Sequence, residues 1–156
     1  MRSRYGVASL IAVGAVAIAP AALVGAAEPV DVSITAHTVR GCPLPDSCTF
    51  SASGAVVDSG SVKGVPVRFG AENSPVTGEA QYVITFNGQH GSLTVRMQSR
   101  LSLTDVPWQL HEDDEWTLID ATGDYAGARG QGLASGTRDF RQLSVDLVYT
   151  GRIQLP

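Results

Sequence analysis

The sequence predicts an all-β domain, folded either as an antiparallel β-sandwich or as a closed β-barrel of seven to nine strands. Apolar and polar residues alternate along most of the chain after residue 27; in residues 30–39, for example, Val32, Ile34 and Ala36 share one face. Glycine, asparagine and aspartate interrupt these stretches at short intervals, as they do at turns between strands. Because no stretch has the period of a helix longer than two turns, helical crossovers are not expected.

Eight stretches carry the strand pattern. The fifth begins at Ser92 and continues raggedly towards Leu110, and Pro107 leaves open whether it is one bulged strand or two. Residues 70–78 contain asparagine and proline and are predicted to form a loop. The predicted strands are residues 30–39, 49–57, 61–69, 79–86, 92–110, 115–120, 132–139 and 142–153.

Residues 1–27 have the features of an export signal that is removed. Arg2 and Arg4 precede an uncharged apolar run, and the small residues Gly25, Ala26 and Ala27 follow it. Pro20 interrupts the apolar run, which argues against a transmembrane helix. The prediction is a secreted protein whose mature part, residues 28–156, is a single domain with no membrane attachment after the signal has been removed.

The charge balance argues against nucleic acid as a partner. The 156 residues include 11 basic and 15 acidic side chains, which gives a net charge of −4. Removing the signal takes away Arg2 and Arg4 and lowers this charge to −6, so the mature surface would repel phosphate.

Cys42 and Cys48 are the only cysteines, and they flank a short segment with two prolines and an aspartate. Such a compact segment favours a local disulfide, which agrees with export to an oxidising compartment. The chain-entropy argument gives a stabilisation of about 2 kcal/mol for a loop of this size.

A glycine-rich segment carries a family resemblance. Residues 116–132, followed by a strand and Tyr149-Thr-Gly-Arg152, resemble the end of allene oxide cyclase-like barrels, a fold shared with plant dirigent proteins and related bacterial secreted proteins. Asp120 and Ala121 depart from this pattern, because a glycine pair is common there. The matching positions are Thr122, Gly123, Tyr125, Gly127, Arg129, Gly130 and Gly132.

The resemblance implies an eight-stranded, antiparallel, calycin-like barrel. The glycines would form a structural turn at a barrel corner, where positive φ and close backbone approach are needed, and the Tyr125 ring would tuck under that turn. A phosphate-binding loop is not supported, because it would need a following helix and a lysine.

The densest charge cluster is His111-Glu-Asp-Asp-Glu115. Glu112, Asp113 and Asp114 are weak candidates for a cation site, since neighbouring carboxylates repel one another and can recruit a metal ion. Their spacing matches no EF-hand, and neighbouring side chains point in opposite directions. The favoured interpretation is a solvated hairpin tip with no metal and no cofactor.

The barrel lumen is the expected place for any function, because small closed barrels either fill their interior or hold one small ligand. Candidate groups at the lumen or its rim are Tyr82, Arg96, Arg100, Trp108 and Glu115. The sequence contains no Gly-x-Ser-x-Gly nucleophile motif, and it identifies no catalytic residue.

Three functions follow, in order of preference. The first is a non-catalytic module that binds a small apolar molecule or another surface. The second is an isomerase or cyclase of the allene oxide cyclase-like kind, which would need a cavity of at least about 300 Å³ with a polar group reaching into it. The third is a protease inhibitor that presents the loop closed by Cys42 and Cys48, because such a loop is preorganised.

Overall fold

A computed structural model describes residues 27–42, 44, 46–69 and 78–156. The predicted export signal, apart from Ala27, and nearly all of the predicted loop at residues 70–78 lie outside the described residues. Eight strands follow one another along the chain: β1 Val30–Val39, β2 Cys48–Gly54, β3 Asp58–Phe69, β4 Gly78–Gly88, β5 Ser92–Leu103, β6 Gln109–Ala121, β7 Arg129–Asp139 and β8 Ser144–Gln154.

The strands form a closed barrel in which each pairs with the next and β8 pairs with β1. Every pair is antiparallel, and the closing ladder runs from Val30 opposite Ile153 to Val39 opposite Ser144. Closure leaves no free sheet edge among these eight strands. The prediction of an all-β antiparallel barrel of eight strands is confirmed, and the sandwich alternative is excluded.

Several predicted boundaries were wrong. The second strand ends at Gly54, where φ is +91°, and Asp58, predicted to be in a turn, is the first residue of β3. The long stretch after Ser92 is two strands, separated by the connection that contains Pro107. Residues 111–115 are not a hairpin tip, because β6 begins at Gln109 and runs through them.

The single described helix is the three-residue 3-10 turn Gly123–Tyr125 between β6 and β7. Gly123 and Gly127 have φ of +62° and +89°, which are conformations that favour glycine, as the corner interpretation predicts. Gly132 needs its small size instead, since a Cβ atom there would lie 2.8 Å from the Trp116 ring. No helix in the described ranges is long and apolar enough to cross a membrane.

Tyr125 helps to fill one end of the barrel, the end at which β2 connects to β3, β4 to β5 and β6 to β7. Its ring is buried, and its hydroxyl donates to the Asp58 carboxylate at 3.0 Å. The backbone amides of Ser59, Gln89 and His90 donate to the same carboxylate. Burial alone would raise the pKa of Asp58, but these hydrogen bonds outweigh it and lower the pKa.

Replacing Tyr125 with phenylalanine is expected to lower the free energy of unfolding by about 1 to 2 kcal/mol. The ring would stay in place, so the loss isolates one hydrogen bond to a buried carboxylate. Urea denaturation of the wild type and the Y125F variant measures the difference. Equal midpoints and equal slopes would show that this bond does not stabilise the barrel.

Candidate functional site

The opposite end of the barrel contains a cavity of about 420 Å³. Its mouth lies between the β1–β2 connection and the β7–β8 turn. Apolar side chains from several strands form most of the wall, among them Ala36, Val62, Ile84, Met97 and Leu147. Polar side chains also line the cavity, among them Tyr82, Glu112, Arg138 and Tyr149 inside the barrel and Arg40 and Asp139 at its open end.

Arg138 and Glu112 form an ion pair inside the barrel. The Arg138 Nη2 atom lies 2.9 Å from Glu112 Oε2, and Nε lies 3.2 Å from the same oxygen. Glu112 is 1 % exposed, and the guanidinium also lies over the Tyr82 ring, 5.4 Å from its centroid. Burial disfavours the charged guanidinium, but the negative charge of Glu112 outweighs burial and raises the pKa of Arg138.

Asp114 is a second carboxyl group inside the barrel, at the next inward position of β6 after Glu112. It is 3 % exposed, and Ser99, directly opposite on β5, is fully buried. The Ser99 hydroxyl is the hydrogen-bond donor that faces the Asp114 carboxyl group. Burial, and next the charge of Glu112, raise the pKa of Asp114 to about 7, although Ser99 and Arg138 act to lower it.

Two phenols complete the polar part of the lumen. The Tyr149 hydroxyl points to the sulfur of Met97 at 3.4 Å, and burial raises the pKa of Tyr149 far above its usual range. Burial also raises the pKa of Tyr82, against the opposing charge of Arg138. Both phenols therefore remain protonated at neutral pH and can donate a hydrogen bond.

The predicted lumen and rim candidates separate into two groups. Tyr82 lies inside the barrel, and Trp108 lies at its open end, 62 % exposed, with Arg141 over its ring at 6.0 Å. Arg96, Arg100 and Glu115 are exposed on the outer face, which corrects the expectation that they line the lumen. The reason is strand parity, because the inward positions next to them in the chain are occupied by the buried Met97, Ser99 and Trp116.

The acidic cluster divides in the same way. Glu112 and Asp114 point into the barrel, whereas Asp113 is exposed and lies 3.1 Å from the His111 ring. The described residues contain no group of three or more histidine, cysteine, aspartate or glutamate side chains that could hold a metal ion. The idea of Glu112, Asp113 and Asp114 as a joint cation site therefore finds no support in their arrangement.

Backbone geometry at the open end is unusual. Three described residues other than glycine have positive φ, namely Cys42 at 46°, Trp108 at 70° and Leu143 at 55°, and all three lie in connections around the mouth. The Trp108 carbonyl accepts from the Phe140 amide, and the Leu143 carbonyl accepts from the Arg40 amide, both at 2.9 Å. These bonds tie three connections together, and the Cys42–Cys48 disulfide closes the first of them. Strained backbone of this kind concentrates at functional sites.

Three comparisons were made, with models of protein families, with curated proteins and with solved structures, and none found a match to this chain.

Proposed function

We propose that this protein binds a small, largely apolar molecule inside the barrel and does not transform it. The observation that carries the proposal is the cavity of about 420 Å³, whose wall is mostly apolar and includes a few polar side chains such as Tyr82 and Tyr149. Cavities of about 300 to 1,000 Å³ with a few polar groups are typical of small-molecule sites. The tied connections at the mouth support a preformed site, since a rigid rim loses little entropy when a ligand binds.

The family and the location are part of the same proposal. Membership of the allene oxide cyclase-like or dirigent-like barrels rests on the glycine corner at residues 122–132 together with the strand number. Secretion rests on the features of residues 1–27 and on the disulfide, which fits an oxidising compartment.

The proposal predicts that filling the lumen abolishes binding. Ala36 is buried and lines the cavity, whereas its neighbour Thr35 is exposed on the outer face of β1. Titration with N-phenyl-1-naphthylamine, a neutral dye that fluoresces in apolar surroundings, should show one saturable site in the wild type and in the T35F variant. The A36F variant is expected to lose at least about tenfold in affinity, because the phenyl ring occupies ligand volume.

Thermal melts control for folding, since overpacking costs about 1 to 3 kcal/mol. If A36F unfolds, Val62→Phe places a ring on another wall of the same cavity and provides a second test. Equal dye affinity in the wild type and in a folded A36F or V62F variant would refute a site in the lumen.

An isomerase or cyclase is the second candidate, and one observation favours it. A buried carboxyl group with a pKa of about 7 can give and take a proton at neutral pH, and Asp114, the next inward residue of β6 after the cavity-lining Glu112, has that pKa. Prolonged incubation separates the two functions, because a binder returns its ligand unchanged whereas an isomerase returns a product of equal mass and different chromatographic retention.

A further inference from the structure

The charged side chains that line the cavity balance one another. Among the described residues they are two basic and two acidic side chains, Arg40, Arg138, Glu112 and Asp139. Arg138 and Glu112 are bound to each other inside the barrel at 2.9 Å. Arg40 is exposed at the mouth, and the Asp139 carboxylate there accepts from two backbone amides of its own turn. A charged ligand group would lose its hydration without meeting an excess of opposite charge, so the arrangement favours a neutral ligand.

The ion pair is also occupied by interactions within the protein. Both Glu112 oxygens accept hydrogen bonds from Arg138, through its Nε and Nη2 atoms. The guanidinium is in addition a hydrogen-bond partner of Tyr82 and lies over the ring of that residue. A carboxylate or an ammonium group in the lumen would have to compete with these contacts before it could make its own.

Tyr149 places a hydrogen-bond donor at the inner end of the cavity. The residue lines the cavity and is 2 % exposed. Its ring packs edge-on against Phe86, which lies two residues before the closed end of β4, with the ring centroids 5.1 Å apart. The Tyr149 hydroxyl reaches across the lumen from β8 to Met97 on β5, and Met97 lines the cavity as well. The contact between these two side chains therefore forms part of the inner wall.

The acceptor for this hydroxyl is weak. Among the described residues, the Tyr149 hydroxyl donates to the sulfur of Met97 at 3.4 Å, and a thioether sulfur is a poor acceptor. Buried tyrosine hydroxyls generally find a stronger partner. Because burial holds the pKa of Tyr149 far above its usual range, the hydroxyl keeps its proton. A rotation about the C–O bond would turn this proton towards an oxygen atom of a ligand beside Met97.

We infer that the ligand is an uncharged molecule with an apolar body and a carbonyl group, whose oxygen accepts a hydrogen bond from Tyr149 at the inner end of the cavity. The inference rests on the proposed function, because it names the chemical class of the molecule bound there. A carbonyl oxygen accepts more strongly than a thioether sulfur, so the exchange of partners favours binding. The apolar body lies against the wall formed by residues such as Ala36, Val62 and Leu147.

Four compounds of similar size test the chemical class on the full chain, by displacement of N-phenyl-1-naphthylamine. Butyrophenone carries the carbonyl group, and butylbenzene has a methylene group in its place. Phenylbutyrate is an anion, and phenylbutylamine is a cation. At neutral pH butyrophenone is expected to bind at least about tenfold tighter than either charged compound, because a charged group would have to leave water. A charged compound that binds as tightly as butyrophenone would overturn the neutral class.

The Y149F variant removes the hydroxyl and keeps the ring. Butyrophenone affinity is expected to fall about fivefold, because one hydrogen bond is lost, whereas butylbenzene affinity should change less than about twofold. The matched control is Y125F, the same chemical change at a buried tyrosine that contacts Asp58 at the closed end. In Y125F the affinity for both compounds should stay within about twofold of the wild type. Thermal melts verify that each variant is folded.

NMR gives a readout that a purely structural role of Tyr149 would not change. Butyrophenone labelled at the carbonyl carbon reports the hydrogen bond directly, because a bond to the oxygen withdraws electron density from that carbon and raises its chemical shift. The bound resonance should lie at a lower chemical shift in Y149F than in the wild type, and Y125F should match the wild type.

The outcomes separate this inference from the proposed function. An equal effect of Y149F on butyrophenone and butylbenzene, or a bound carbonyl resonance that is the same in Y149F and the wild type, overturns the carbonyl class and leaves a lumen that binds apolar molecules. If N-phenyl-1-naphthylamine does not bind and labelled butyrophenone shows no bound resonance, both the inference and the proposed function are overturned.

Discussion

Replacing Arg138 with methionine is expected to lower the free energy of unfolding by about 3 kcal/mol at neutral pH, one of the two largest effects that we predict for a single substitution. Methionine fills much of the volume of the arginine stem but leaves Glu112 as an unpaired charge that is 1 % exposed. The penalty comes from this unpaired carboxylate rather than from the lost attraction alone. Urea denaturation with linear extrapolation measures it.

Two controls make the result specific. Arg96→Met on the outer face should change stability by less than about 0.5 kcal/mol, because an exposed arginine loses little when it is shortened. The double variant with Glu112→Leu and Arg138→Met removes both charges and should recover most of the loss. An R138M protein as stable as the wild type would show that Glu112 is not buried as described.

Replacing Asp114 with asparagine is expected to raise the free energy of unfolding relative to the wild type. This gain should grow as the pH rises. The folded state raises the pKa of Asp114 from 3.8 to about 7, so within this window the folded protein holds a proton that the unfolded chain releases. The contribution of Asp114 to wild-type stability therefore falls as the pH rises from about 4 to about 7, and it is constant above that. Relative to the wild type, D114N should gain about 2 to 4 kcal/mol on going from pH 4 to pH 8.

The measurement is a pair of denaturation curves at pH 4 and pH 8 for each protein. D113N serves as the control, because Asp113 is the exposed carboxylate next to Asp114 on the same strand. A difference between D114N and the wild type that is the same at both pH values would contradict a raised pKa. A stability advantage of D114N over the wild type that is larger at pH 4 than at pH 8 would give the sign opposite to our expectation.

The all-β fold was predictable because most strands show the same alternation of apolar and polar residues. Alternation along β1, where Val32, Ile34 and Ala36 are all buried, and turn residues at short intervals are local signals that do not depend on the partner strand. Barrel closure could not be predicted from local sequence patterns, because it depends on the pairing of β1 with β8, which lies more than 100 residues away in the chain. The family resemblance at residues 116–132 supplied that expectation.

The buried charge cluster was not predicted, because inward positions are recognised in a sequence by their apolar residues. Charged residues at such positions interrupt the alternation of apolar and polar residues. Read backwards from Trp116, every second residue of β6 points inward, which includes Asp114 and Glu112. Four consecutive acidic residues suggested a solvated tip, since charge in sequence usually means exposure. Arg138 on β7 could not be linked to Glu112, because nothing in the sequence sets the register between the two strands.

The measurement that tests the central claim most directly is native mass spectrometry, beside a denatured spectrum, of protein purified from its own host. If the lumen holds a ligand, the native mass of the wild type and of T35F exceeds the denatured mass by a discrete few hundred daltons, and A36F shows no excess. Identical native and denatured masses for the wild type, or an excess that persists in a folded A36F variant, would contradict a ligand site inside the barrel.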